Sequence, residues 1–176
     1  SPDVCSSDLC KSYRSTFEIT DFSQKIQTNH ELEPIIRHGE PPAILRFEDV
    51  KQEILGIFSI ISSFKKSGYT SLGIVCKTET QARELSESLR VHTGDIHFLS
   101  NQSSAFMKGI IVTSSHMAKG LEFDEVIVPY VNGKNYNSAI DKSMLYVAVT
   151  RAMHRLTLTY NGRPSEFIPA SSDQNF

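Results

Sequence analysis

The residues able to do chemistry gather in two stretches. The first is Thr113-Ser114-Ser115-His116-Met117-Ala118-Lys119-Gly120-Leu121-Glu122-Phe123-Asp124, and the second is Met144-Leu145-Tyr146-Val147-Ala148-Val149-Thr150-Arg151-Ala152. The first carries hydroxyls, an imidazole, an ammonium and carboxylates between two apolar runs, Gly109-Ile110-Ile111-Val112 and Glu125-Val126-Ile127-Val128. Short β-branched runs without polar alternation are strands buried on both faces, as in a parallel sheet. The polar segment between them is then expected at the carboxyl edge of the first strand, where open α/β sheets bind ligands. The alternative is a plain connector, with His116 and Lys119 solvated and Gly120 serving a turn. The second stretch sets Arg151 at the end of an apolar helical run.

Taken together, the segments His116 to Asp124 and Tyr146 to Met153 resemble the fifth and sixth motifs of superfamily 1 helicases of the UvrD type, in wording and in order. Ser12-Tyr13-Arg14-Ser15-Thr16 resembles the fourth. The resemblance implies the second RecA-like lobe of a two-lobed motor, with ATP bound in the cleft between the lobes. It implies that Arg14 and Arg151 reach the γ-phosphate, where a delocalised cation in bidentate geometry offsets charge in a loose transition state. Glu122 would accept hydrogen bonds from the nucleotide ribose, with Gly120 letting the backbone come close and Tyr13 lining the cleft. Thr113, Ser115 and His116 match the part of the fifth motif near single-stranded nucleic acid, where hydroxyls and imidazole donate to phosphate oxygens. A structural role stays open for each. Arg14 could cap a helix or pair with an acid, Arg151 could favour a helix carboxyl end, and Glu122 could face solvent. Tyr13 could pack, and Lys119 could pair with Asp124.

A nucleotide triphosphatase of this kind uses a phosphate loop of the form G-x-x-x-x-G-K-[ST]. No such run occurs in the sequence, nor does an acidic metal motif ahead of the first strand. The resemblance therefore assigns the phosphate loop and the Mg2+ that accompanies ATP to a partner, the N-terminal RecA-like lobe, and the chain alone is not expected to hydrolyse ATP. No metal ligand set is expected in this chain. Single-stranded DNA is the other implied partner. Lys77 and Glu79 stand where processive relatives carry arginine and asparagine, and Glu79 would repel a phosphate.

The short span between Arg14 and Lys119 leaves no room for the subdomain inserted in typical UvrD-type motors. That feature, with Leu156-Thr157-Leu158 and Gly162-Arg163-Pro164-Ser165, is most similar to HelD-like proteins of Gram-positive bacteria, which recycle RNA polymerase. Three readings follow: a DNA helicase or translocase lobe, the same lobe in a polymerase-remodelling factor with little unwinding, and a non-catalytic RecA-like binding module. Retention of Arg14, Glu122 and Arg151 argues against the third.

The elements that must hold these residues follow from periodicity. Phe17, Ile19, Phe22 and Ile26 form a helical stripe after a strand from Leu9, with Thr16 or Ser15 as N-cap. A connector from Asn29 to Pro42 leads to a strand, Ala43 to Phe47. A helix from Glu48 to Lys66 is then closed by Ser67-Gly68. Leu72 to Cys76 is a buried strand, and Thr78 caps a helix through Arg90 whose Ala82, Leu85 and Leu89 face inward. A short strand spans Asp95 to Leu99, and a helix from about Ser138 to His154 leads to a strand from Arg155 to Tyr160. Alternating strands and helices imply an α/β, RecA-like fold: a mostly parallel sheet with helices on both faces.

The 176 residues suit one domain, with 39% apolar and 22% charged side chains. Its bounds are expected at 9–168, after a non-native or disordered leader over 1–8 and before a flexible tail at 169–176, with fraying from Gly162 onward. A formal net charge of -2 gives no basic field, so any nucleic-acid contact must be local. Three cysteines without metal-ligand spacing suit a reducing compartment, and no stretch is long and apolar enough for a membrane or signal segment. A cytoplasmic location is expected.

Overall fold

The computed structural model describes residues 15–28, 37–101 and 108–169. Tyr13, Arg14 and the strand expected from Leu9 lie outside the described residues, as do 1–8 and most of the tail expected at 169–176. Among the described residues there are four helices, α1 (Phe17–Ile26), α2 (Val50–Phe64), α3 (Glu79–Arg90) and α4 (Ala139–Val149). The strands are β1 (Ala43–Phe47), β2 (Ser71–Cys76), β3 (Ile96–Phe98), β4 (Gly109–Ser114), β5 (Phe123–Val128) and β6 (Ala152–Asn161). They form one six-stranded sheet in the order β1-β6-β5-β2-β4-β3, and every pairing is parallel.

Continuous apolar runs in β2, β4 and β5 serve two cores at once because successive side chains point to opposite faces. Val75, Ile111, Val126 and Val128 join α1 and α4 through Ile19, Phe22, Leu145 and Ala148. Leu72, Ile74, Ile110, Val112 and Ile127 join α2 and α3 through Ile57, Ile61, Leu85 and Leu89. Two helices therefore cover each face, and the α/β architecture with helices on both faces stands as read from the sequence.

Several boundaries differ from the periodicity reading. The expected helix from Ser138 to His154 stops at Val149, because Thr150 turns its hydroxyl onto the carbonyls of Tyr146 and Val147, while Ala152 already pairs with Phe123 in the sheet. Gly68 does not close α2: the cap is Lys65, and the Ser67 hydroxyl donates to the Phe64 carbonyl. Thr16 is the N-cap of α1 without a side-chain bond, since Ser15 Oγ donates instead to the Ala152 carbonyl at 2.7 Å. The segment after Gly162 is packed as far as it is described. Pro164 bridges Asn132, Ser165 is buried, and Phe167 and Ile168 lie against the α1/α4 core.

The link from β4 to β5 decides where the site residues fall. Both strands flank β2, so residues 115–122 must run from the carboxyl edge back to the amino edge. They do so as successive turns across the α1/α4 face, with Ala118 buried and Leu121 packed against that core. The polar stretch thus spans both edges of the sheet rather than lying at one.

Candidate functional site

At the amino edge, the end of this crossover meets the turn between α4 and β6. The Phe123 amide donates to the Arg151 carbonyl at 2.9 Å, which sets Glu122 and Arg151 side by side in the fold. The Arg151 guanidinium is half-buried. Its Nε donates to the Val147 carbonyl at 3.1 Å, Nη1 to the Leu121 carbonyl at 3.4 Å and Nη2 to Thr150 Oγ1 at 3.3 Å. It therefore caps the carboxyl end of α4 and also braces the crossover. Burial draws its pKa below the ordinary arginine value, and the charges of Glu122 and Tyr146 act in the opposite direction.

Glu122 is half-buried at this edge, two residues after Gly120, whose φ of +78° is the left-handed conformation that favours glycine. A Cβ at Gly120 would meet nothing within 4 Å, so the backbone there borders open space. Ser15, the first described residue, is tied to Ala152 beside Arg151.

The residues read as nucleic-acid contacts separate. Thr113 is fully buried, with Oγ1 donating to the Leu99 carbonyl at 3.0 Å. Ser115 is buried as well, and its hydroxyl donates to the Cys76 carbonyl at 3.2 Å. Neither hydroxyl is presented to a ligand, because both close backbone carbonyls at the strand ends. His116 and Lys119 are exposed, and with Ser115 they border a shallow groove floored by Ile140, Met144 and Val147 of α4. Lys119 does not pair with Asp124. That carboxylate accepts from the Thr70 and Ser71 amides at 2.8 and 3.1 Å at the amino edge.

Lys77 and Glu79 are committed elsewhere. Lys77 Nζ lies 2.8 Å from Asp141 Oδ1, donates to the Asn135 carbonyl and stands over the Tyr136 ring. Burial raises the Asp141 pKa, but the hydrogen bond from Lys77 and the amides of Asn137 and Ser138 outweigh it and bring it down to about 2. Glu79 pairs with Arg83 one turn along α3.

A further polar network escaped the sequence reading. Glu53 of α2 is fully buried, and its carboxylate accepts from the Tyr130 amide at 2.9 Å, Thr159 Oγ1 at 2.7 Å and Asn161 Nδ2 at 2.6 Å. It pins the start of the loop after β5 to the end of β6. Among the described residues Tyr130 is the one non-glycine at positive φ, 60°. The available signal was an acid on the inward stripe of α2, four residues before Ile57 and eight before Ile61.

The six-stranded, all-parallel α/β architecture matches that of a helicase C-terminal RecA-like domain. Residues 109–159, which hold the crossover, Glu122 and Arg151, match the family model described as the UvrD-like helicase C-terminal domain. Among solved structures, the chain is similar to the C-terminal domain of a possible DNA helicase from Lactobacillus plantarum WCFS1. The two share 29% identity at a TM-score of 0.76, over 90% of this chain and 92% of that one. The helicase nonstructural protein 10 of an arterivirus, solved with DNA, is similar at 13% identity and a TM-score of 0.49, over 68% of this chain and 28% of that one. No curated protein matches the sequence. No helix among the described residues is long and apolar enough to cross a membrane.

Proposed function

We propose that this chain is the second motor lobe of an ATP-dependent DNA helicase or translocase, completing an ATP site whose other wall belongs to an N-terminal RecA-like lobe. The observation that carries the reading is the convergence of Glu122 and Arg151 on one edge of the sheet, from positions 29 residues apart. In this reading Arg151 meets the γ-phosphate, Glu122 accepts from the ribose, and Gly120 lets the backbone approach. Arg14 is the second guanidinium and Tyr13 a cleft residue. Ser15, which follows Arg14 in sequence, is bonded to Ala152 at this edge. ATP arrives with Mg2+ held by the other lobe. A single strand of DNA lies on the opposite side, where His116 and Lys119 are exposed.

A second reading rests on Lys77 and Glu79. Both are consumed by internal ion pairs, which leaves fewer groups for a phosphate backbone at the carboxyl edge. That favours a HelD-like factor that remodels RNA polymerase with little unwinding. A non-catalytic RecA-like module is the weakest reading, since it gives Glu122 and Arg151 no shared task.

The test is Arg151→Ala in the complete two-lobed protein. Turnover of ATP is expected to fall on the order of 10³-fold, the scale of a lost arginine finger. Unchanged turnover rules out the transition-state role. The 176-residue chain alone is expected to release no phosphate from ATP, with or without single-stranded DNA. Strand separation and polymerase binding by the complete protein then divide the first reading from the second.

A further inference from the structure

We infer that the cavity between the loop after β5 and the segment after β6 is a binding site for a phosphate-bearing ligand of nucleotide size. It lies at the carboxyl edge, away from Glu122 and Arg151, and encloses about 400 Å3. That volume is within the usual range for small-ligand pockets.

Its walls are built in advance. The Gly133 amide donates to the Arg163 carbonyl at 2.9 Å, the Ser165 amide to the Val131 carbonyl at 3.1 Å, and Ser165 Oγ to the Tyr136 carbonyl at 2.8 Å. Glu53 ties both walls to α2 from below, through Tyr130 on one side and Asn161 on the other. A site fixed by such second contacts needs little ordering when a ligand enters.

The chemistry of the lining names the ligand. Lys134 on one wall and Arg163 on the other are exposed cations that form no ion pair among the described residues, and a single acid, Glu166, stands with them. Two cations facing one space suit a phosphate. Phe167, half-buried on the lining, adds aromatic surface suited to a base or sugar.

A free nucleotide and a nucleotide unit within a single strand present the same chemistry, and the experiment separates them. A fluorescent twelve-residue oligothymidylate and free thymidine monophosphate are titrated against the wild-type chain and the double variant Lys134→Ala/Arg163→Ala. The double variant is expected to lose about tenfold or more in affinity for whichever probe binds, and the salt dependence of oligomer binding is expected to drop by about one for each cation removed. Binding of the oligomer alone identifies a strand, and binding of both admits the free nucleotide. Wild-type affinity in the double variant, or no binding of either probe to the wild-type chain, overturns the inference. Neither outcome bears on ATP turnover, so failure here is separable from failure at Arg151.

Discussion

The first residue of β5 and the residue before β6 are joined across the amino edge: the Phe123 amide donates to the Arg151 carbonyl. The backbone of Arg151 is thereby fixed by sheet register, and its guanidinium is fixed separately by carbonyls at Val147 and Leu121. A planar fork can hold those carbonyls and still present an edge outward, which an ammonium cannot do. Arg151→Lys is therefore expected to behave like a loss rather than a conservative change. In the two-lobed motor proposed above it should retain at most a few per cent of turnover, measured by phosphate release, and the chain should lose about 1 kcal/mol in urea denaturation. Wild-type turnover in this variant would show that a point charge suffices.

Lys77 and Asp141 clamp β2 to the start of α4, and their bond makes stability depend on pH. Asp141 has a folded pKa of about 2, below its unfolded value near 3.8. A carboxylate with a depressed folded pKa binds fewer protons in the native state, so its contribution is complete above the unfolded pKa and is lost as pH falls through the folded one. The window is therefore about pH 4 down to about pH 2. Asp141→Asn should melt below wild type at neutral pH, by an amount equivalent to roughly 1–2 kcal/mol, with the two melting curves converging across that window. A gap that stays constant from pH 5 to the acid limit would show that the carboxylate charge is not what Asp141 contributes, because Lys77 and the Ser138 amide both bond the ionised group.

How much of this could be read from the amino acids depends on the kind of signal. Strands β2, β4 and β5 announced themselves as unbroken apolar runs because they are buried on both faces. Thr78 and the stripe Ala82, Leu85, Leu89 gave α3 nearly to the residue. The end of α4 did not show, since Thr150, Arg151 and Ala152 continue an apolar helical pattern that only a sheet partner interrupts. Glu122 and Arg151 were singled out by motif wording, and a backbone bond from Phe123 to Arg151 sets their segments side by side. Thr113 and Ser115 failed to emerge as surface groups for a reason no local pattern carries: β4 runs two residues past its apolar core, which draws Thr113 inside, and Ser115, just beyond the strand, turns its hydroxyl onto the Cys76 carbonyl. Glu53 and the cavity it supports were invisible for a related reason, because three partners from distant segments are needed before its position makes sense.

Two glycines near the crossover divide packing from backbone conformation. Gly73 lies in β2, and a Cβ there would collide with the ring of Phe123, which is itself 2% exposed. Gly73→Ala must displace that ring or the strand that carries it, a core overpacking expected to cost about 1–3 kcal/mol. Because Phe123 follows Glu122 and bonds Arg151, the same change should also lower turnover in the proposed two-lobed motor. Gly120 presents the opposite case, with a φ of +78° and open space around any added Cβ. Gly120→Ala pays only the left-handed conformation, about 1 kcal/mol, and Gly120→Asn should recover part of it since asparagine tolerates that region. Urea denaturation of the three variants orders them Gly73→Ala, Gly120→Ala, Gly120→Asn from most to least destabilised. If Gly120→Asn were instead the worst of the three, contacts around the crossover rather than its backbone would set the cost.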